Sequence, residues 1–220
     1  MHVGRSWFRV VKTRDIPEAL EARYGRPGRR PRPILDCLVR TILSQNTTDR
    51  LRDQAFSLLT RKFPSWKKMR SARVSEISRT ISVAGLHEQK ARAIKALLEI
   101  AGDHGYDLSF ICKMKPEDAY SFLRGVKGIG DKTAKVCLLF SCGMPFFPVD
   151  THIARVARRL GLAGEKWARE RVSKRLEELF DPRDYYSLHL NLIELGRELC
   201  KPRGPRCGEC PVGEVCEYGG

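Results

Sequence analysis

Apolar residues recur at three- and four-residue spacing through most of the chain, which is the period of helices with one buried face. Glycine and proline residues separate the periodic segments and mark the turns between them. A short strand over Trp7–Lys12 is compatible with the pattern, but one strand makes no sheet. The predicted fold class is therefore all-α, with helices over Ile34–Leu43, Leu51–Leu59, Lys90–Ile100, Pro116–Leu123, Thr133–Phe140, His152–Leu160 and Tyr186–Cys200.

The chain is strongly basic, with 41 Lys and Arg residues against 26 Asp and Glu residues and a formal net charge of +15. Such an excess of positive charge favours a polyanionic partner such as nucleic acid. The apolar runs are too short to span a membrane, and no basic amphipathic membrane anchor is evident. The N-terminal segment lacks the apolar core of a secretory signal, so we expect a cytoplasmic, nucleoid-associated protein.

Amide side chains are scarce, with two Asn and three Gln residues in the chain. Because these thermolabile residues are depleted in hyperthermophile proteins, the composition favours a thermophilic source. Nothing in the sequence indicates more than a monomer.

Four of the eight cysteines lie close together near the C-terminal end, with the spacing C-x6-C-x2-C-x5-C. Disulfide bonds are not expected in a chain without an export signal. A zinc site more often uses two separated C-x2-C pairs, whereas one compact loop with four thiolates can hold a [4Fe–4S] cluster. The spacing favours the cluster, with zinc as the alternative, and the predicted ligands are Cys200, Cys207, Cys210 and Cys216.

The remaining cysteines lie in apolar helical stretches or just past one, and we predict that they are small buried hydrophobic residues. They are Cys37, Cys112, Cys137 and Cys142.

The loop between the first two clustered cysteines carries three cations, Lys201, Arg203 and Arg206, among stiffening Pro and Gly residues. A loop anchored by metal and carrying several cations suits contact with DNA phosphates. The alternative is a solvated loop whose charge is incidental.

A glycine-rich turn, VKGIGDKTA, joins two predicted helices, with Gly128 and Gly130 on either side of Ile129. Glycine permits positive φ and close approach of the backbone, and Ile129 can fill the angle between the helices. The free N–H groups at the start of the second helix suit a phosphate. Together with Lys127 and Lys135, this turn predicts DNA binding that does not depend on base sequence.

Lys132 lies in the first turn of that second helix, where the helix dipole disfavours a cation. Desolvation in a cleft would also favour the neutral amine, which is a nucleophile able to form a Schiff base. The alternative for this residue is an ordinary surface lysine.

Asp150 precedes the segment THIARVARRLG and is placed to cap the helix that begins there. A cap fixes the position of its carboxylate, so this structural role is compatible with a catalytic one. The preceding PFFPV stretch is expected to shield the carboxylate from water.

The glycine-rich turn, the FPVDTHIARVARRLG segment and the cysteine spacing together resemble the endonuclease III branch of the helix-hairpin-helix DNA glycosylases. The resemblance covers residues 34–218. It implies a two-lobed all-α fold with a six-helix barrel over residues 34–143. Residues 1–33 and 144–220 would form the second lobe, which carries the iron–sulfur cluster, with DNA across the cleft between the lobes.

The resemblance also implies a chemistry, in which Lys132 attacks C1′ of a flipped, damaged nucleotide and expels the base. The resulting Schiff base permits β-elimination, which cuts the strand. Asp150 would assist the amine and stabilise the positive charge that develops on the sugar. In the turn after the first predicted helix, Gln45 and Asn46 are the candidates for filling the gap left by the flipped base, with Asn46 at the closest aligned position.

The predicted function is thus a bifunctional DNA glycosylase and AP lyase that acts on double-stranded DNA with damaged bases, first of all oxidised pyrimidines, or abasic sites. One departure from the family pattern is Asp131, which places an acid beside the nucleophile and is expected to favour the protonated amine. The alternatives are a monofunctional thymine or uracil mismatch glycosylase and a non-catalytic DNA-binding iron–sulfur protein.

Overall fold

The structure, a computed structural model, describes residues 15–219 and divides them into two compact units. One unit comprises residues 30–144, and the other comprises residues 15–29 together with 145–219. The sequence placed the corresponding boundaries at residues 33/34 and 143/144. Residues 1–14, which include the strand considered at Trp7–Lys12, lie outside the described part of the chain.

The unit of residues 30–144 is built from seven α-helices: α2 (Ile34–Ser44), α3 (Asp49–Lys62), α4 (Trp66–Ser71), α5 (Val74–Thr80), α6 (His87–Asp103), α7 (Pro116–Gly125) and α8 (Asp131–Cys137). Short 3-10 turns at Ser82–Ala84 and Ser109–Lys113 join some of them, and α8 continues as a π-helical turn over Leu138–Cys142.

Helix α2 is the centre of this unit and packs against α3, α6 and α8. Its side chains Leu38, Val39, Ile42 and Leu43 are fully buried. Burial of a leucine or isoleucine side chain contributes about 1.5–3 kcal/mol, so this face holds the unit together. The turns at both ends of α2 and α8 are thereby attached to a rigid core.

The other unit contains four α-helices: α1 over residues 15–24, α9 (Thr151–Arg159), α10 (Arg169–Leu179) and α11 (Tyr185–Glu198). Helix α9 packs against α11 and α10. Within α1, Ile16 and Leu20 are buried one turn apart, as in a helix with one apolar face. The chain after α11 forms a loop with two 3-10 turns, Cys207–Glu209 and Gly213–Val215.

All seven helices that the apolar spacing predicts are present, and the described residues contain no strand. The all-α fold class is therefore confirmed. No helix within residues 15–219 combines the length and apolar character needed to cross a bilayer.

The prediction for two of the cysteines was wrong, because Cys112 and Cys142 form a disulfide bond. They are 30 residues apart in sequence, and the fold brings the Ser109–Lys113 turn against the Leu138–Cys142 turn. Cys37 and Cys137 are buried thiols, as predicted.

Candidate active site and cysteine loop

The glycine-rich turn between α7 and α8 exposes its polar side and buries its apolar one. Ile129 is 3% exposed, and its N–H donates to the Val126 carbonyl at 3.0 Å, whereas Lys127 and both glycines are exposed. Gly128 has φ +91°, and a Cβ at this position would overlap the Cβ of Ala93 on α6. The turn therefore presents its backbone to solvent while it stays locked against α6.

Lys132 is partly exposed in the first turn of α8. The neighbouring carboxylate of Asp131 accepts a hydrogen bond from the Tyr120 hydroxyl at 2.8 Å. Burial, and next this hydrogen bond, raise the pKa of Tyr120 to about 12. Tyr120 thus orients the acid that the sequence placed beside the candidate nucleophile, and the sequence alone did not reveal it.

Lys135 does not face solvent, since it is 5% exposed and its Nζ lies 3.9 Å from Oδ1 of Asp131. Residues 131 and 135 are one turn apart on α8, so the pair spans the helix. This nearly buried ammonium faces its own helix. A phosphate contact by Lys135 would therefore require the side chain to leave its place beside Asp131.

Two turns of the same unit present exposed side chains in a left-handed backbone conformation. Asn46, in the turn after α2, has φ +48°, and its neighbour Gln45 directs Nε2 towards Oγ1 of Thr133 on α8 at 3.5 Å. Leu86, in the turn before α6, has φ +46° and is 51% exposed. Sequence reasoning missed Leu86, although its position directly after Gly85 marks a turn.

Asp150 caps α9, as predicted, because its Oδ1 accepts the Ile153 N–H at 2.8 Å. The segment that leads to it is fixed by side chains of α10 and α11. Glu177 accepts the N–H of Phe147 at 2.8 Å, and Ser173 donates to the carbonyl of Phe147 at 2.6 Å. The N–H of buried His189 donates to the carbonyl of Pro148 at 3.0 Å.

The four clustered cysteines are free and partly exposed. Burial raises the pKa of the Cys210 thiol, a backbone hydrogen bond from Val212 lowers it, and the thiols of Cys216, Cys200 and Cys207 raise it. Within residues 15–219, no three His, Cys, Asp or Glu side chains converge closely enough to hold a single ion.

Helix α9 holds this loop through two arginines. Arg155 donates to the carbonyl of Cys200 at 2.9 Å. Arg159 donates to Sγ of Cys200 at 3.3 Å and to the carbonyl of Lys201 at 2.8 Å. The Cys216 thiol donates to the carbonyl of Arg159 at 3.3 Å. The helix capped by Asp150 is thus bonded to both ends of the cysteine loop.

The three cations of the loop differ in their surroundings. Lys201 and Arg203 are exposed. Arg206 is bound to Glu209 at 3.0 Å and donates to the carbonyl of Glu198 at 3.4 Å. A phosphate contact by Arg206 would therefore compete with these internal acceptors for its guanidinium.

Comparison with known proteins places these features in a family context. Residues 39–182 match the model of the HhH-GPD superfamily base excision DNA repair protein. The endonuclease III of Sulfolobus acidocaldarius is 38% identical over 189 residues, which cover 85% of this chain and 83% of that protein.

Solved structures share the fold over nearly the whole chain. A non-covalent endonuclease III–DNA complex superposes with a TM-score of 0.83 at 25% identity and covers 96% of both chains. A thermostable thymine-DNA glycosylase has the same fold, with a TM-score of 0.74 at 20% identity over 95% of both chains.

Proposed function

The chain belongs to the HhH-GPD superfamily of base excision DNA repair proteins, and we propose that Lys132 and Asp150 are the catalytic residues of a bifunctional DNA glycosylase and AP lyase. The observation that carries this proposal is the presentation of Lys132 by the locked α7–α8 turn, at the start of a helix. A lysine amine can form a covalent bond to a sugar, and Lys132 is the lysine that this hairpin places in the first turn of α8, where the helix dipole favours the neutral form.

In the reaction, the Nζ lone pair of Lys132 attacks C1′ of the damaged nucleotide as the bond from C1′ to the base breaks. The base leaves with the electrons of that bond and is protonated. The bound nitrogen then loses a proton and O4′ takes one up as the C1′–O4′ bond breaks, which opens the ring to a protonated imine. Loss of a proton from C2′ drives the β-elimination that expels the 3′ phosphate. Because the target base is stacked in the duplex, the nucleotide must first be flipped out.

Asp150 stabilises the positive charge that develops on the sugar when the base leaves. A preorganised carboxylate near an oxocarbenium-like centre lowers the barrier electrostatically, as in glycoside hydrolysis. The hydrogen bond to Ile153 and the fixed segment at Phe147 and Pro148 hold the carboxylate in one position before DNA arrives.

We propose that the exposed turns make the DNA contacts. The backbone of Gly128 and Gly130, Lys127, Lys201 and Arg203 would bind phosphates, which the first-turn N–H groups of α8 also suit. Asn46, with Gln45 behind it, would fill the space of the flipped nucleotide. The exposed apolar side chain of Leu86 suits insertion between base steps.

The two loop arginines offer a matched test of this interface, because Arg203 is exposed and Arg206 is bound to Glu209. We expect Arg203→Gln to lower the slope of log affinity against log salt by about 0.9, the value for one lost phosphate contact. Arg206→Gln should leave the slope unchanged. The measurement is binding to an undamaged duplex at several salt concentrations, and an unchanged slope in Arg203→Gln would place the loop away from DNA.

We further propose that the cysteine loop holds a [4Fe–4S] cluster. Cys200, Cys207, Cys210 and Cys216 provide the all-thiolate set that such clusters need, and the hydrogen bond from Arg159 to Cys200 suits a thiolate. The four cysteines lie within one compact loop, whereas zinc sites more often use two separated C-x2-C pairs, and this favours the cluster over a single zinc ion. When bound, the cluster would hold the loop that carries Lys201 and Arg203.

Protein purified without oxygen is expected to be yellow-brown and to contain about four irons per chain. Iron and zinc analysis measures this directly. The matched control is Cys37→Ser, because Cys37 is a buried thiol outside the loop and should leave the iron content unchanged. One zinc and no iron per chain would contradict the cluster.

We propose oxidised pyrimidines, such as thymine glycol, as the substrates and a monomer as the active form. A duplex with a single thymine glycol, incubated with the protein and then analysed for free base and for strand breaks, tests the function. Release of the base together with strand cleavage is expected. Base release from mismatched thymine without cleavage would instead indicate a mismatch glycosylase, and binding without either product would indicate a non-catalytic protein.

A further inference from the structure

A lysine is among the largest fully buried side chains of the described residues. Lys90, on the second turn of α6, is 1% exposed. Its ammonium donates to the carbonyl of Leu43 at 2.8 Å and to the carbonyl of Ala84 at 2.7 Å. Burial lowers the pKa of this group, and no ion pair to it is seen in residues 15–219.

Burying an ammonium is costly, and an apolar side chain of similar volume would fill the same space without that cost. The carbonyls of Leu43 and Ala84 indicate the role of the Lys90 ammonium. Leu43 lies in the last turn of α2, where carbonyls have no partner within the helix. Ala84 ends the 3-10 turn Ser82–Ala84. One ammonium therefore joins the end of α2 to the end of the 3-10 turn, although the two bonded carbonyls, those of Leu43 and Ala84, are far apart in sequence.

The two joined elements lead into the turns that contain Asn46 and Leu86, whose side chains are exposed and whose backbone is left-handed. Asn46 follows Leu43 by three residues, and Leu86 follows Ala84 by two. The described residues have three non-glycine positions with positive φ, and these are two of them. A left-handed backbone at such residues persists where the surroundings enforce it, and Lys90 holds the chain three residues before Asn46 and two residues before Leu86.

We propose that Lys90 is a positioning residue that fixes the spacing between the two turns, so that Asn46 and Leu86 enter the DNA duplex as one rigid wedge. This inference rests on the proposed function, since it assigns Lys90 to the opening of the duplex. Opening is separate from the bond chemistry at Lys132, which lies on a different helix of the same unit.

The test compares two substrates that share the imine and elimination steps and differ in the need to extrude and release a base. One duplex carries a thymine glycol paired with adenine, and the other carries an abasic site, which has no base to extrude. We expect Lys90→Met to lower the single-turnover rate on the paired lesion about ten-fold more than on the abasic duplex, the effect of a lost charge-assisted hydrogen bond. A 2-aminopurine beside the lesion should also fluoresce less on binding, because unstacking is incomplete.

A double-mutant cycle then asks whether Lys90 acts through the wedge. Asn46→Ala alone should show the same selective loss. Adding Lys90→Met to it should lower the rate on the paired lesion less than Lys90→Met does in the wild-type background, because coupled residues are not additive. If Lys90→Met does not accumulate as folded protein, Lys90→Gln replaces it, since its amide retains N–H donors but no charge.

The outcomes are distinct. A selective loss on the paired lesion, non-additive with Asn46→Ala, supports the inference. Equal losses on both substrates, or no loss on either, would overturn it while the wild-type activity keeps the proposed function intact. A wild-type protein that cleaves neither substrate would overturn the proposed function, and this inference with it.

Discussion

Replacing Lys132 by glutamine is expected to abolish strand cleavage and all covalent trapping by borohydride. An imine between the Nζ of Lys132 and C1′ of the sugar is reduced irreversibly by borohydride, which cross-links protein and lesion-bearing DNA. Glutamine cannot form this imine. Affinity for the lesion should change little, because the proposed phosphate contacts of the hairpin come from backbone N–H groups and Lys127 rather than from Lys132.

Lys127→Gln is the matched control for this experiment, since it removes an exposed lysine from the same hairpin. It should lower affinity slightly and leave trapping intact. Peptide mapping of the wild-type adduct should identify Lys132. Trapping that persists in Lys132→Gln would assign the nucleophile to another amine.

Asp150→Asn is expected to lower turnover by about 10²–10³-fold, the range seen when an electrostatic contact to a developing charge is removed. The two roles of Asp150 separate in this variant, because asparagine caps a helix about as well as aspartate. The thermal unfolding temperature and DNA affinity should therefore stay close to those of the wild type, and single-turnover kinetics measures the loss.

Two further substitutions bracket the result. Asp150→Ser also keeps a side-chain acceptor for the Ile153 N–H but no carboxylate, so it should lose turnover like the asparagine variant. Asp150→Glu keeps the charge and weakens the cap. Full activity in both Asp150→Asn and Asp150→Ser would reduce Asp150 to a helix cap.

Helices with an extended apolar face were predictable from the sequence, and short or highly charged ones were not. Helix α10, RERVSKRLEEL, has few apolar residues and buries only Val172, Ser173 and Leu176. Helix α4 has six residues and one buried side chain, Met69. Such helices form because neighbouring elements pack against them. Their own apolar periodicity is too weak to predict them from the sequence.

The same distinction applies to the candidate site. The hairpin, the cap at Asp150 and the free thiols of the cysteine loop follow from local spacing, and the structure has them. Pairings between residues that are distant in sequence do not follow from local spacing. The disulfide from Cys112 to Cys142, the Tyr120–Asp131 hydrogen bond and the burial of Lys90 all depend on contacts that only the tertiary fold creates.

The contact between Gly128 and Ala93 has a consequence for how the family can vary. Position 93 is limited by space alone, so glycine or alanine satisfies it. Position 128 is limited twice, by the overlap with Ala93 and by φ +91°, which side chains other than glycine rarely adopt. A change of Ala93 to glycine would remove the overlap but not the backbone strain. Position 93 can therefore vary between glycine and alanine, whereas we expect glycine to be retained at position 128 in either case.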